Sequence, residues 1–356
     1  MGAHEDREMR SYRKLARTGA RSLCMLGLVC LSGGPAGAGA RESRAAASAQ
    51  AEEVLSRQVG PCINIGDKLD ARHEGDLAPP ATDKDFTDIA AVGFKTVRLP
   101  VMWSAHQGGA PDYMIDPAFM QRVVDVVDAA LAADLRVILD VHHFHEAMRD
   151  PAGSRTQFLA TWTQISDQFA GAPPQLWFEL LNEPQGKLTN RNIPALYAPA
   201  IDLIRQKHPD RVIVIGGGWW SSVGQLKTIP LFKDPDLVYT FHYYDPVAFS
   251  QQGAPTKKPV PIGATFGTPE DYAHLKASAE AARAFVRRTG KPLFLGEFGA
   301  YGVIPQEQRV TYYKAVHDAF ENVGIDSCAW GYDNSYPIRD PKTRRWSKPM
   351  LRALGL

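Results

Sequence analysis

Cysteine is scarce, with four in 356 residues, and two of those, Cys24 and Cys30, lie within the first forty positions. Beyond them only Cys62 and Cys328 remain, so more than one intrachain bridge is excluded. A charge excess of one sign is also missing. Net charge is +1, and residues 1–40 carry six Lys/Arg against three Asp/Glu, leaving 34 basic and 36 acidic residues in the remainder. That balance argues against a nucleic-acid or anionic-membrane partner. No apolar run reaches the length of a membrane span, and there is no internal repeat or second zone of composition. Nor does a phosphate-binding glycine cluster follow the first apolar stretch, Cys62 to Leu69. Gly216-Gly217-Gly218 does follow a predicted strand, but Trp219-Trp220 comes next, where a phosphate cradle wants small residues.

What is present begins with a leader. Arg10, Arg13, Lys14, Arg17 and Arg21 precede the apolar run Leu23–Leu31, and small residues end at Ala38 and Ala40. Residues 1–40 are therefore read as a secretory signal cleaved near Ala38 or Ala40, which predicts a secreted or periplasmic protein. Val29 before Cys30 is bulkier than a lipoprotein signal usually tolerates. The Ala-, Ser- and Glu-rich residues 41–58 read as a linker, and 59–356 as a single catalytic domain. The reading for Cys62 and Cys328 is two free thiols in a dry core, a bridge being conceivable only if the chain closes into a barrel.

From Pro61 onward strands and helices alternate. Predicted strands are Cys62–Gly66, Thr96–Pro100, Arg136–His143, Trp177–Glu183, Arg211–Gly216, Asp236–His242, Pro292–Glu297 and Ser327–Gly331. Their near-continuous apolar runs suit parallel strands buried on both faces. Between them, helical spacing covers Asp83–Val92, Asp116–Ala133, Thr156–Phe169, Ile193–Lys207, Pro269–Arg288, Gln306–Val323 and Lys348–Leu354, with a long loop at 246–268. Eight β-then-α units over about 300 residues predict one (β/α)8 barrel. A doubly wound open sheet shares the alternation and is the second reading.

The residues at the strand ends carry the chemistry. They are Asn64 and Asp67, Arg98, His142 and His143, Asn182 and Glu183, Trp219 and Trp220, His242 and Tyr244, Glu297, and Trp330. Each alone has a structural explanation: Arg98 pairing with Glu179, histidines satisfied in the core, tryptophans packing. Together they would converge on one mouth, where α/β barrels keep their chemistry. Two carboxylates from strands four and seven, Glu183 and Glu297, would face each other there. Glycoside hydrolysis needs such a pair, one protonating the leaving oxygen and one attacking or directing water. Trp219 and Trp220 are possible stacking platforms for a pyranose face.

These motifs, Asn182-Glu183-Pro184, Gly296-Glu297-Phe298-Gly299, Val97-Arg98-Leu99-Pro100, the His142-His143 pair and His242-Tyr243-Tyr244, resemble glycoside hydrolase family 5, the cellulase-type retaining glycosidases. The resemblance runs from Asn64 to about Trp330. It implies Glu297 as nucleophile held by Arg98 and Tyr244, and Glu183 as acid/base oriented by His242. Proximity to a second carboxylate is expected to raise the Glu183 pKa. Asn182 would donate to the sugar 2-hydroxyl, and His142 would touch the sugar or the surroundings of Glu297. His143 is expected to contact sugar beyond the cleavage point, and Trp330 to floor the sugar there. Asp67 and Asp70 stand where relatives often carry Asn and Glu, which leaves sugar preference open. His142-His143-Phe144-His145 also evokes the metal site of amidohydrolase barrels, but that His pair belongs on a first strand, and no metal ligand set is assigned. The expected activity is retaining endo-β-1,4-glucanase on a β-linked polysaccharide, with no cofactor, acting as a monomer with no membrane contact after signal cleavage. A β-mannanase is the alternative within the family, and a carbohydrate-binding pseudo-enzyme the alternative outside it. No appended binding module is visible, so amorphous polymer is the expected target.

Overall fold

The computed structural model describes residues 59–255 and 258–356; the predicted signal (1–40) and linker (41–58) lie outside the described residues. Eight strands are present: β1 Cys62–Asn64, β2 Thr96–Val101, β3 Arg136–Val141, β4 Leu176–Glu179, β5 Ile213–Gly216, β6 Leu237–Tyr243, β7 Leu293–Phe298 and β8 Ser327–Ala329. They form a closed parallel ring in sequence order, β1 pairing with β8. Closure makes this a (β/α)8 barrel and removes the open-sheet alternative. Four strands end earlier than their apolar runs suggest. β3 stops before His142, β4 before Asn182, β8 before Trp330 and β1 before Gly66. At those points the chain leaves the ladder and its side chains line the mouth.

The helices between strands follow local rules. In Pro117–Ala132 the Asp116 side chain accepts from the Phe119 N–H at 2.8 Å and Pro117 occupies the first turn. Val123, Val126, Val127 and Ala130 then form its buried stripe. Helix Pro269–Thr289 opens with a reciprocal cap between Thr268 and Asp271 and closes at Gly290 in the left-handed region. Ile193–Arg205 stays helical through Pro199. Among the described residues, no helix is long and apolar enough to cross a membrane.

Alternation along each strand divides the core in two. Ile63, Val97, Leu99, Val137, Leu139, Phe178, Ile213 and Ile215 join the large cluster under the helices. Their neighbours Cys62, Ile138, Trp177, Val214, Val238, Phe294 and Cys328, with Val59, form a separate apolar plug inside the barrel. In this plug the expectation of two free thiols is overturned. Cys62 and Cys328 are directly paired in the β1–β8 register and are bridged by a disulfide, their Cα atoms 4.3 Å apart. Ring closure brings together residues 266 apart in sequence, which no local pattern reveals.

Candidate active site

One step along the strands above the plug, the lumen turns ionic. Arg98 on β2 is fully buried and central. Its Nε and Nη2 donate to the two oxygens of Glu179 at 2.7 and 2.8 Å. Nη1 donates to Glu297 Oε1 at 2.7 Å and to Asn64 Oδ1 at 2.9 Å, and Nη2 reaches Asn182 Oδ1 at 2.8 Å. Nη2 also lies 2.7 Å from Asp140 Oδ2. One guanidinium thus faces three carboxylates in a dry layer, and these neighbours hold its pKa well above the ordinary range despite burial. Asp140 carries the cost: burial pushes its carboxyl up to about 7, against the pull of Arg98.

Glu297 reaches this layer through a defect in the sheet. Phe241 pairs with Leu295, but His242 pairs with Glu297, so Gly296 is an extra residue on β7. In a regular strand Glu297 would share the outward face of Leu295, two positions earlier. The bulge turns it into the lumen instead. Glycine is required there, because a Cβ on residue 296 would sit 2.4 Å from Thr240 Oγ1. Burial raises the Glu297 pKa, while His242, Arg98 and the hydrogen bond from Tyr244 oppose the rise. The Tyr244 hydroxyl donates to Glu297 Oε2 at 2.9 Å.

Glu183 follows β4 with a positive φ of 46°, a backbone state that a non-glycine residue adopts where surrounding structure holds it. His242 Nδ1 lies 2.9 Å from Glu183 Oε1 and 3.5 Å from Glu297 Oε2. An oxygen of Glu183, an oxygen of Glu297 and the imidazole nitrogen all fall within 4.8 Å of one another. The Glu183 carboxyl is pushed up to about 8, chiefly by burial, with Asp140 and Glu179 adding to the rise and Arg98 opposing it. The second carboxylate is therefore not the principal cause, as the sequence suggested; burial is. Its side chain nonetheless keeps 24% exposure, open to the mouth.

A polar relay aims Asn182. His142 is buried and its pKa is held well below the usual value by burial, Arg98 and His242, so the ring is neutral. Its Nδ1–H donates to Asp140 Oδ2 at 2.9 Å, which leaves Nε2 to accept from Asn182 Nδ2 at 3.2 Å. Since Asn182 Oδ1 accepts from Arg98, the amide orientation is settled and one Nδ2 proton remains for a ligand. His142 thus acts on Asn182. Asp140 is the residue that reasoning from sequence missed. Its only signal is its place two residues before His142, on the same strand face.

The other predicted residues sit around this centre. Trp330 is 8% exposed and lies parallel to His142 at 5.9 Å. Its indole occupies the space a Cβ at Gly66 would need, 2.4 Å away. Asp67 accepts from the Ser335 hydroxyl at 2.9 Å. Asp70 is buried and accepts from the Lys68 N–H at 2.8 Å, with burial and Asp67 pushing its pKa up to about 7. Asp70, His142 and His143 offer ligand atoms within 4.8 Å. Both His142 nitrogens are already engaged, by Asp140 and Asn182, so a cation there would have to break the relay. Trp219 and Trp220 are 40% and 42% exposed and meet edge to face at 5.1 Å.

Residues 70–335 match the model of the cellulase family, glycosyl hydrolase family 5. The chain belongs to that family. It is 32% identical over 306 residues to Endoglucanase H of Acetivibrio thermocellus, covering 84% of this chain and 33% of the relative. With Endoglucanase 1 of Ruminococcus albus identity is 31% over 297 residues, covering 76% and 70%. The first curated relatives are longer proteins: this chain spans 33%, 58% and 39% of three of them. Among solved structures, a hyperthermophilic endo-β-1,4-glucanase in complex with substrate superposes with TM-score 0.83 at 33% identity, covering 86% of this chain and 99% of that one. Thermotoga maritima Cel5A in complex with mannotriose gives TM-score 0.82 at 32% identity, covering 85% and 99%.

Proposed function

We propose that this chain is a retaining endo-β-1,4-glucanase, and that Glu183 and Glu297 carry the reaction. The single observation behind this reading is their spacing. One oxygen of each carboxyl lies within 4.8 Å of the other, which fits the roughly 5–5.5 Å of retaining enzymes better than the roughly 6.5–9.5 Å that leaves room for an attacking water. The raised pKa of Glu183 keeps it protonated at neutral pH, ready to give its proton to the glycosidic oxygen as that bond breaks. Glu297, charged and aimed by Arg98 and Tyr244, attacks the anomeric carbon and forms an ester. Asn182 donates its remaining amide proton to the 2-hydroxyl, a contact that strengthens in the oxocarbenium-like transition state. Glu183, now a carboxylate, deprotonates water, which attacks the anomeric carbon and releases Glu297. Proton NMR of cellohexaose cleavage should show the β anomer first; an α anomer would reject the retaining route.

A β-mannanase is the second reading, favoured by the mannotriose complex of the Thermotoga maritima relative. Initial rates on carboxymethylcellulose, lichenan, glucomannan and galactomannan separate the two. No turnover on any of them would favour a carbohydrate-binding pseudo-enzyme. We also infer export, from the basic residues, apolar run and small residues of the first forty positions. Mass spectrometry of the mature N-terminus tests it, and an intact Met1 would reject it.

A further inference from the structure

The segment after β5 is the most strained stretch of backbone among the described residues. Trp219, Trp220 and Ser221 have φ of 53°, 54° and 53°, three consecutive non-glycine residues in the left-handed region. Such a backbone state is unfavourable for a residue with a side chain and persists only where the surroundings impose it. The run displays two indoles, each about two-fifths exposed, which packing alone does not require.

The surroundings that impose it are specific. Asn190, from the loop after β4, accepts the Gly218 N–H on its Oδ1 at 2.7 Å. Its Nδ2 points to Gln225 O at 3.1 Å, Gln225 Oε1 at 3.1 Å and Thr228 Oγ1 at 2.9 Å, on the far side of the run. One amide therefore ties both ends of the strained turn. The glycines before it allow that approach: a Cβ on Gly217 would stand 3.2 Å from Asn190 Oδ1, and one on Gly218 3.2 Å from Asn190 N. On the other side the Trp220 N–H donates to Pro184 O at 3.1 Å, and Ser222 bridges to His242. The indole pair is thus fastened to the residue beside Glu183 and to the histidine that touches Glu183.

We propose that Asn190 is a positioning residue: it holds the Trp219–Trp220 pair as a rigid platform for the sugar units on the leaving-group side, registered against the acid Glu183. Asn190 touches neither reacting carboxylate and acts only through the turn. Loss of its amide would release the left-handed run, and the indoles would lose their fixed position relative to Glu183. Substrates that extend beyond the cleaved bond would suffer; an aryl cellobioside, with no sugar there, would suffer less.

This rests on the glycosidase reading, and the test separates the two. The quantity measured is the ratio of kcat/KM for cellohexaose to that for 2-chloro-4-nitrophenyl cellobioside. Parent enzyme inactive on both would reject the glycosidase reading itself. In Asn190→Ala the ratio should fall about fivefold, the size of a stacking contact, mainly through KM. Asn190→Asp, which keeps the acceptor for Gly218, should fall less. In a background carrying both Trp219→Ala and Trp220→Ala, adding Asn190→Ala should leave the ratio where the two tryptophan substitutions put it. An unchanged ratio in Asn190→Ala, or a further loss on adding it to that background, would overturn the proposal. If Asn190→Ala does not fold, Asn190→Asp is measured in both backgrounds with the same criteria.

Discussion

The barrel lumen holds two layers, separated by one two-residue step along the strands, that could hardly differ more. Below lie Cys62, Ile138, Trp177, Phe294 and Cys328, dry and closed by a disulfide. Two positions further along β1, β3 and β4 stand Asn64, Asp140 and Glu179, and with Arg98 and Glu297 they build the ionic layer. Two residues are about 6.6 Å of strand, so the change from apolar plug to buried charge is abrupt. The lower layer gains free energy by excluding water. The upper layer spends some of it on desolvated charge and on left-handed backbone at Glu183 and Trp219–Ser221. The apolar plug and the reacting carboxylates therefore sit in one barrel on different residues, and Arg98 is where the upper layer couples charge pairing to the site.

Removing the chemistry should show the largest effect. Glu297→Ala is expected to lower kcat by about ten-thousand-fold or more, with Tm close to the parent value. Azide should restore part of the turnover and give the α-glycosyl azide. Activity within tenfold of the parent would remove Glu297 as nucleophile.

Arg98→Met tests how far the ionic layer depends on its one cation. It leaves Glu179, Asp140 and Glu297 without their shared partner, and breaking a buried ion pair from one side costs about 3–5 kcal/mol. Urea unfolding should report that loss together with a collapse of activity. Full activity with a parent-like midpoint would mean that the upper layer is not electrostatically coupled.

The lower layer has the opposite signature. Cys62→Ala with Cys328→Ala should cost roughly 2–4 kcal/mol of stability while kcat at 25 °C changes less than twofold. A tenfold fall in kcat with little change in stability would break the division between the layers.

The smallest effect concerns pH. A carboxyl whose pKa is raised by folding favours the folded state least when it is ionised. The Glu183 contribution is therefore intact below the ordinary carboxylate pKa and declines as pH rises toward about 8. Glu183→Gln should flatten part of the fall in Tm between pH 5 and 8, and should remove the alkaline limb of kcat for aryl cellobiosides. An unchanged Tm profile would place the Glu183 pKa near its ordinary value.

Much of this was legible in sequence because periodicity and composition encode it. Strands of the barrel announce themselves as apolar runs, helices as 3.6-residue stripes with Asp116 or Thr268 in front, and Glu183 and Glu297 as acids at strand ends. Arg98 with Glu179 could be paired on charge alone. What escaped depends on register and closure. Asp140 reads as a lone acid in a core strand until Arg98 and His142 are placed beside it. The Cys62–Cys328 bridge exists only because β1 meets β8. The Gly296 bulge inverts the face of Glu297, and the left-handed run at Trp219–Ser221 follows from contacts with Asn190 and Pro184 that lie some 30 residues away.

Trapping the glycosyl-enzyme shows whether the bulge delivers Glu297 as the nucleophile opposite a protonated Glu183. Incubation with 2,4-dinitrophenyl 2-deoxy-2-fluoro-β-cellobioside, followed by proteolysis and peptide mass spectrometry, tests it directly. One fluorocellobiosyl group per chain is expected, on Glu297. A label on Glu183, or no label in an enzyme that still turns over cellohexaose, would contradict it.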